Sequence, residues 1–296
     1  MRIILSLLVL CWFQPVNANP ISSEIELLAS GLYSFRYGAD RTMVLVGKKG
    51  VVVADPISPA AATLLQKEIA SLTRLPVTDV VYSNSFFNRV AGADVFKRQG
   101  ANVIAQKQCA KNLQQTPRDD IVPVDVTYDS QYSVDAGEAS LELYYFGQSY
   151  GTCLSVIIAK PANIMMIYGL VGSDGAAVPT DPTLANYYLH NLLPFFDKVE
   201  SLAKQENIQQ ITGSYARLQA DGLYASPLGS VSVISDQKLF WQQLLGAVKT
   251  DYENRIPARA MGNRLDMESF SGFADFDEKR LKIMTRRVYS LYRIGR

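Results

Sequence analysis

A short run of β-branched residues, Val51–Ala54, constrains the fold of this chain more than any other stretch. A strand in which every residue is apolar must be buried on both faces, as happens in sheets that helices cover. The run ends at Asp55, and apolar residues then recur at helical spacing over residues 60–71, with Ser58 as N-cap and Pro59 at the first helical position. This strand–helix unit predicts an α/β fold.

The rest of the chain extends this plan in three stages. Strand and helix signals alternate through the first stage: strands at residues 32–36, 43–46, 77–82 and 102–105, and helices at 93–99, which Gly100 ends, and 107–114. Period-two patterning then predicts antiparallel strands at 132–135, 139–146 and 154–159, followed by a strand at 164–171, a helix at 187–205 and a short strand at 208–212. Two helices, 236–252 and 279–292, end the chain. The alternation predicts a layered α/β architecture with a C-terminal helical extension.

Composition and charge exclude several classes of protein. The chain has 296 residues, of which 48% are hydrophobic and 19% charged, which is typical of a globular protein. It has 29 basic and 28 acidic residues, a formal net charge of +1. No broad electrostatic field would therefore attract the protein to nucleic acid or to an anionic membrane.

Residues 1–18 have the pattern of a secretory signal peptide. Arg2 supplies the positive start, residues 3–13 form an apolar run, and Val16-Asn17-Ala18 offers a small-residue cleavage site. The apolar run is too short to cross a bilayer as a helix, so we expect no stable membrane anchor. We expect a mature protein that is secreted, with the bacterial periplasm as its compartment.

Cleavage would leave two cysteines, Cys109 and Cys153. In an oxidising compartment two cysteines form either one disulfide or two buried thiols. Both alternatives are open from the sequence, and two buried thiols are the favoured one because cysteine is among the most buried residue types.

The loop within residues 80–96 has the layout of a catalytic loop: an apolar strand, a short polar turn and the small-residue start of a helix. It resembles the metallo-β-lactamase superfamily, in which a strand ends in a His-x-His-x-Asp-His loop whose side chains bind zinc. On that pattern the four ligand positions of this chain hold Asn84, Phe86, Asn88 and Arg89. None of these residues is a ligand of the family.

Three later stretches resemble the remaining ligand regions of that family, in the same order. Residues 145–152 place Tyr150 at a histidine position, residues 165–171 place Gly169 where the family has a bridging aspartate, and residues 211–214 place Ser214 at the last histidine position. The resemblance runs from about residue 28 to residue 214. It implies a four-layer αββα sandwich for residues 19–235, with residues 236–296 as the C-terminal helical extension.

The composition argues against a zinc site independently of this resemblance. The chain has one histidine, His190, whereas hydrolytic zinc sites use several imidazoles with carboxylate support. His190 falls in the predicted helix 187–205 and outside every ligand position. Asp55, Asp94 and Asp174 could only supply an oxygen site for calcium or magnesium, and they lack the spacing of a metal-binding loop. We therefore expect no catalytic residue, no metal and no cofactor.

Two interpretations of the former ligand positions remain open. In the first, the cleft expected at the ligand positions is filled by the side chains of Phe86, Phe87 and Tyr150 and has become part of the hydrophobic core. In the second, these aromatic residues and Arg89 line a pocket suited to a small anionic or planar ligand.

The sequence therefore favours a secreted metallo-β-lactamase-fold protein without a zinc site, which acts as a non-catalytic binding or accessory protein for a small ligand or a protein partner. One alternative is a hydrolase with an unconventional site, for which Ser83, Ser85, Ser149 and Ser214 are available but no accompanying base is.

The other alternative is an interaction role of the basic helix around residues 286–293. In that case, deleting the residues after Gly272 would remove a partner and leave the fold intact. This tail resembles that of periplasmic metallo-β-lactamase-fold proteins associated with quinoprotein alcohol oxidation.

Overall fold

The structure is a computed structural model that describes residues 21–295. The strands are β1 (Ser23–Ala29), β2 (Leu32–Tyr37), β3 (Asp40–Val46), β4 (Val51–Ala54), β5 (Val77–Tyr82), β6 (Asn102–Gln106), β7 (Val126–Tyr128), β8 (Gln131–Asp135), β9 (Ser140–Tyr145), β10 (Ser155–Lys160), β11 (Ile164–Ile167), β12 (Gln210–Thr212) and β13 (Leu228–Ser230). The helices are α1 (Pro59–Leu72), α2 (Phe87–Val90), α3 (Asp94–Lys97), α4 (Lys107–Gln115), α5 (Leu189–Gln205), α6 (Val233–Glu253), α7 (Ala258–Met261) and α8 (Glu278–Ile294), with a 3-10 turn at Glu268–Phe270.

The strands form two sheets. The first has seven strands in the order β1-β2-β3-β4-β5-β6-β7, antiparallel from β1 to β4 and parallel from β4 to β7. The second has six strands in the order β13-β12-β11-β10-β9-β8, and all its pairings are antiparallel except β11 with β12. The predicted antiparallel strands β8, β9 and β10 are confirmed.

Three hydrophobic cores separate four layers, and strand β4 shows how the sequence builds them. Val51 and Val53 pack in a core with α1, α3 and α4, whereas Val52 and Ala54 pack in a core between the two sheets. A third core lies between the second sheet and helices α5, α6 and α8. The expected αββα sandwich is confirmed, and so is the expectation that β4 is buried on both faces.

Helix α1 begins as its sequence predicts. The Ser58 hydroxyl accepts a hydrogen bond from the Ala61 amide at 3.2 Å, with Pro59 at the first helical position. Tight turns after β5 put α2 and α3 in place of the longer helix predicted at residues 93–99.

Three strands were not predicted, β1, β7 and β13, and all three lie at sheet edges. Residues of an edge strand pair on one side only, which leaves a weaker hydrophobic pattern in the sequence. The predicted strand 164–171 ends at Ile167, because the chain turns through Gly169 with a φ of +68°.

The C-terminal extension is part of the third core and is not a separate unit. Leu281, Met284 and Val288 of α8 are fully buried there, together with Phe240 and Leu244 of α6. Each such side chain contributes about 1.5–3 kcal/mol when buried. The expectation that the residues after Gly272 are dispensable for the fold is therefore wrong.

The predicted signal peptide, residues 1–18, lies outside the described residues. Among residues 21–295, no helix has the length and apolar character needed to span a bilayer.

Candidate functional site

The loop after β5 is fixed by a buried carboxylate at the end of β4. Asp55 is fully buried and accepts hydrogen bonds from the Ser83 amide at 2.9 Å and from the Ser83 hydroxyl at 2.5 Å. Burial raises the pKa of Asp55, and the charge of Arg89 and the bonds from Ser83 oppose this shift. The next residue, Asn84, accepts a hydrogen bond from the Phe86 amide at 2.8 Å and so shapes the turn.

Arg89, one of the four residues that the family resemblance places at ligand positions, is fully buried. Its guanidinium donates to the Asp40 carboxylate at 3.1 Å and to the Arg41 carbonyl oxygen at 2.5 Å, and it lies 4.7 Å from the ring centre of Tyr168. Burial raises the pKa of Asp40, and the neighbouring Arg89 offsets part of that effect. Of the two open interpretations, the one in which Arg89 faces a ligand is not favoured, because its guanidinium is buried and paired with Asp40.

Aromatic rings fill the space beside Arg89. Phe86 lies 5.2 Å from Tyr150 and 6.0 Å from Tyr168, and the two tyrosine rings lie 6.2 Å apart, all between ring centres. These separations are in the range of favourable aromatic contacts. The interpretation of this region as filled core therefore fits Phe86 and Arg89.

Gly169 and Ser214 complete this packing. A β-carbon at Gly169 would lie 2.4 Å from Cε1 of Tyr150, so Tyr150 occupies the volume in which an aspartate side chain would begin. The Ser214 hydroxyl accepts a hydrogen bond from the Gly169 amide at 3.1 Å, and Ser214 is buried. Asn88, by contrast, is exposed.

The donor set does not fit a zinc ion. Seven residues lie at the positions that would hold ligands. They supply two amides (Asn84 and Asn88), a benzyl ring (Phe86), a guanidinium (Arg89), a phenol (Tyr150), a hydroxyl (Ser214) and, at Gly169, no side chain. Zinc prefers thiolate, imidazole and carboxylate ligands, and a buried guanidinium at the centre would repel it. Within residues 21–295 no three His, Cys, Asp or Glu side chains are grouped so as to hold a metal.

The three aspartates considered for an oxygen site are dispersed. Asp55 bonds to Ser83, Asp94 pairs with Arg98 at 2.7 Å, and Asp174 pairs with Arg217 at 2.8 Å. His190 is exposed on α5.

Cys109 and Cys153 form a disulfide, so the favoured expectation of two buried thiols is wrong. The bond joins α4, which packs on the first sheet, to the segment that precedes β10 of the second sheet. Both residues are buried. Their proximity depends on how the two halves of the sandwich pack, and neither local pattern shows it.

A cavity of about 340 Å³ lies next to the filled ligand positions. It is lined by Tyr150, Gly169, Leu170, Val171, Gly172, Asp174, Ala177, Val178, Pro179, Thr180, Asp181, Tyr187, Tyr215, Ala216, Arg217, Gln237, Trp241 and Asp275. Of the residues predicted from the sequence, Tyr150 and Gly169 line it, whereas Arg89, Phe86, Asn84, Asn88 and Ser214 do not.

The C-terminal extension supplies one wall of the cavity. Gln237 and Trp241 lie on α6, and Asp275 precedes α8. The Gln237 side chain holds the facing loop: it accepts from the Ala177 amide at 2.8 Å and donates to the Ala177 carbonyl at 3.1 Å. Sequence reasoning missed Gln237 and Trp241 because the pattern of α6 indicates only a hydrophobic face, and it missed Asp275 because that residue lies in the turn before α8.

Comparison with solved structures identifies the fold. A metallo-β-lactamase from Pontibacter korlensis matches with a TM-score of 0.61 and 18% identity, over 75% of this chain and 99% of its own. The metallo-β-lactamase DIM-1 matches with a TM-score of 0.61 and 13% identity, over 75% of this chain and 98% of its own. TMB-1 matches with a TM-score of 0.61 and 12% identity, over 75% and 97%. No protein-family profile and no curated protein matches the sequence.

The fold is thus that of the metallo-β-lactamases, as the sequence predicted. Sequence identities of 12–18% to structures of the same fold establish the architecture of this chain. They do not establish its activity, which depends on the chemistry of its site.

Proposed function

We propose that this protein is an exported, non-catalytic binding protein built on the metallo-β-lactamase fold. The observation that carries the proposal is the fit between Tyr150 and Gly169, with 2.4 Å between Cε1 and the position of a β-carbon. The tyrosine occupies the space that a bridging carboxylate would need. The buried Arg89 adds a fixed positive charge in the same region.

The ligand site in this proposal is the cavity beside the filled positions. Its volume of about 340 Å³ lies in the range of small-molecule sites. Its walls combine aromatic side chains with a few charged ones, a composition that is typical of such sites. The chain therefore has a pocket beside the residues that the resemblance places at ligand positions.

The hydrolase alternative has one arrangement in its favour, the contact between Ser83 and Asp55. A serine hydroxyl bonded to a carboxylate is the beginning of a nucleophile–base pair. Both residues are fully buried, however, and neither lines the cavity. Ser149 and Ser214 are buried as well, and His190 is not among the lining residues.

The interaction alternative rests on the basic face of α8. Arg286 and Arg293 are exposed, whereas Tyr289 and Tyr292 pack against Tyr252 of α6, with ring centres 5.8 Å and 6.1 Å away. This is the arrangement of a solvated face with aromatic packing beneath it. No contact singles out this face as a partner site, so small-ligand binding is the better supported function.

Export is proposed from two independent features. Residues 1–18 have the pattern of a signal peptide, and a buried disulfide is the expected state of paired cysteines in an oxidising compartment.

The direct test is an activity assay of the mature chain against β-lactam, ester and thioester substrates, with and without added zinc. We expect no turnover above that of buffer in either condition. Turnover that is lost in Tyr150→Ala and retained in the distant surface variant Asp129→Asn would overturn the non-catalytic proposal.

A further inference from the structure

Three rings on one side of the cavity form a continuous aromatic wall. Tyr150 and Tyr187 lie 4.8 Å apart and Tyr187 and Trp241 lie 5.1 Å apart between ring centres. Tyr215 lines another part of the cavity. Aromatic faces attract organic cations when the charge lies within about 6 Å of the ring centre.

The charged groups of the lining are mostly acidic. Asp174, Asp181 and Asp275 face a single cation, Arg217, which pairs with Asp174 at 2.8 Å and with Asp275 at 3.1 Å. Asp181 forms no ion pair within residues 21–295. One guanidinium therefore balances three carboxylates, and the cavity has an excess of negative charge.

Two further guanidiniums lie near the lining, and each has a carboxylate of its own. Arg41 lies 3.8 Å from Glu26. Arg280, which donates to the backbone carbonyl of Asp275, lies 3.3 Å from Asp277. Neither Arg41 nor Arg280 lines the cavity, so the excess of carboxylates remains.

Asp181 is held as a carboxylate. Burial alone would raise its pKa, but hydrogen bonds from the Thr183 hydroxyl at 2.7 Å and the Thr183 amide at 2.9 Å outweigh burial and lower it. The Tyr150 phenol adds no charge of its own, since burial raises its pKa to about 12. At neutral pH the wall thus offers neutral rings beside an ionised carboxylate.

We propose that the ligand of this cavity is a small organic cation, an amine or quaternary ammonium with an attached apolar or planar group. Its positive charge would lie against the Tyr150, Tyr187 and Trp241 wall with Asp181 as counter-ion. This inference rests on the proposed binding function and names its ligand class. It replaces the expected anionic ligand, which depended on Arg89 being accessible.

The chain supplies its own probe for this test. It has two tryptophans, and Trp12 lies in the predicted signal peptide, so Trp241 is the single tryptophan of the mature chain. Trp241 lines the cavity. Its fluorescence is therefore a probe placed at this cavity.

The experiment is a fluorescence titration of the mature chain with benzyltrimethylammonium, benzyl alcohol and benzoate. We expect saturable binding of the cation, about tenfold tighter than the neutral alcohol, with benzoate weakest. Asp181→Asn should remove most of the preference for the cation and leave the alcohol unchanged. Asp129→Asn, at an exposed residue that pairs with Lys107, is the matched control and should change neither affinity.

The outcomes separate the ligand class from the proposed function. Equal binding of all three compounds, or tighter binding of benzoate, would overturn the proposal that the ligand is a cation. The proposed binding function would not be affected by that result. A preference for the cation that persists in Asp181→Asn would also overturn the inference, because it assigns the counter-ion to that residue. No fluorescence change with any compound would overturn the inference and remove support for ligand binding in this cavity.

Discussion

The ring of Tyr150 occupies the space next to Gly169 so closely that a β-carbon at residue 169 would lie 2.4 Å from Cε1 of the tyrosine. Gly169 also has a φ of +68°, a conformation that other residues rarely adopt. The two residues are thus fitted to each other.

Gly169→Ala should destabilise the fold by about 2–4 kcal/mol, from left-handed backbone strain together with the clash against Tyr150. Gly222→Ala is the matched control, because Gly222 has a φ of +81° and no atom within 4 Å of its added β-carbon. Gly222→Ala should lower the free energy of unfolding only by the cost of left-handed backbone strain, about 1–2 kcal/mol. Urea denaturation measures both. Equal losses in the two variants would show that Tyr150 does not press on residue 169.

A double-mutant cycle isolates the contact itself. Tyr150→Ala removes the ring, so Gly169→Ala should cost less in that background than in the wild type, by about 1–3 kcal/mol. If the two substitutions lower the free energy of unfolding additively, the side chain of residue 150 does not contact residue 169.

Asp40→Asn should destabilise the protein by about 3 kcal/mol, because it removes the carboxylate partner of a fully buried guanidinium. Adding Arg89→Met to Asp40→Asn should restore part of that loss, since no buried charge then lacks a partner. Asp94→Asn disrupts the exposed Arg98 pair and is the control, with an expected change under about 1 kcal/mol. If the losses from Asp40→Asn and Arg89→Met simply add, the two side chains do not act as a pair.

The disulfide predicts a chemical and an energetic result. Alkylation of the denatured mature chain should label no cysteine without reductant and both Cys109 and Cys153 after reduction, as counted by mass spectrometry. Cys109→Ser with Cys153→Ser should lower the free energy of unfolding by about 2–4 kcal/mol. Labelling of both cysteines without reductant would contradict the bond.

Tyr150 predicts a stability change at alkaline pH. Its pKa in the folded protein is raised to about 12, mainly by burial, whereas in the unfolded chain it is near the ordinary value of about 10. The folded state therefore keeps this proton where the unfolded state has lost it. This contribution is complete below about pH 10 and is lost as the pH rises through the folded value.

Tyr150→Phe removes the titrating group and should make the fall in stability above about pH 10 shallower than in the wild type. Denaturation midpoints across that range test this. Identical slopes for the wild type and Tyr150→Phe would assign the alkaline transition to other groups.

Most elements of the fold could be predicted from local sequence patterns. The Val51–Ala54 strand, the Ser58 cap with Pro59, and the period-two strands each follow from residues close together in sequence, and the structure contains them all. Their order along the chain predicted a layered α/β architecture, and the resemblance to the metallo-β-lactamase superfamily implied the four-layer αββα sandwich. The edge strands β1, β7 and β13 were missed because their pairing on one side leaves little pattern.

The candidate site was less predictable, because it depends on contacts between distant segments. Tyr150 and Gly169 were identified from position, but their mutual fit requires the packed backbone. The burial of Arg89 depends on Asp40 and Tyr168, from two other parts of the chain. Trp241 could not be assigned to the cavity from the pattern of α6, which indicates only that one face is buried.

The central claim is that the former metal-ligand positions are fitted to one another and do not bind zinc. Elemental analysis of the mature protein, purified without chelator and dialysed after exposure to equimolar zinc, tests it most directly. We predict far less than one zinc per chain and no change in the thermal unfolding midpoint. Stoichiometric zinc that raises the midpoint, and that is lost when Asp40, Tyr150 or Ser214 is substituted, would contradict the account.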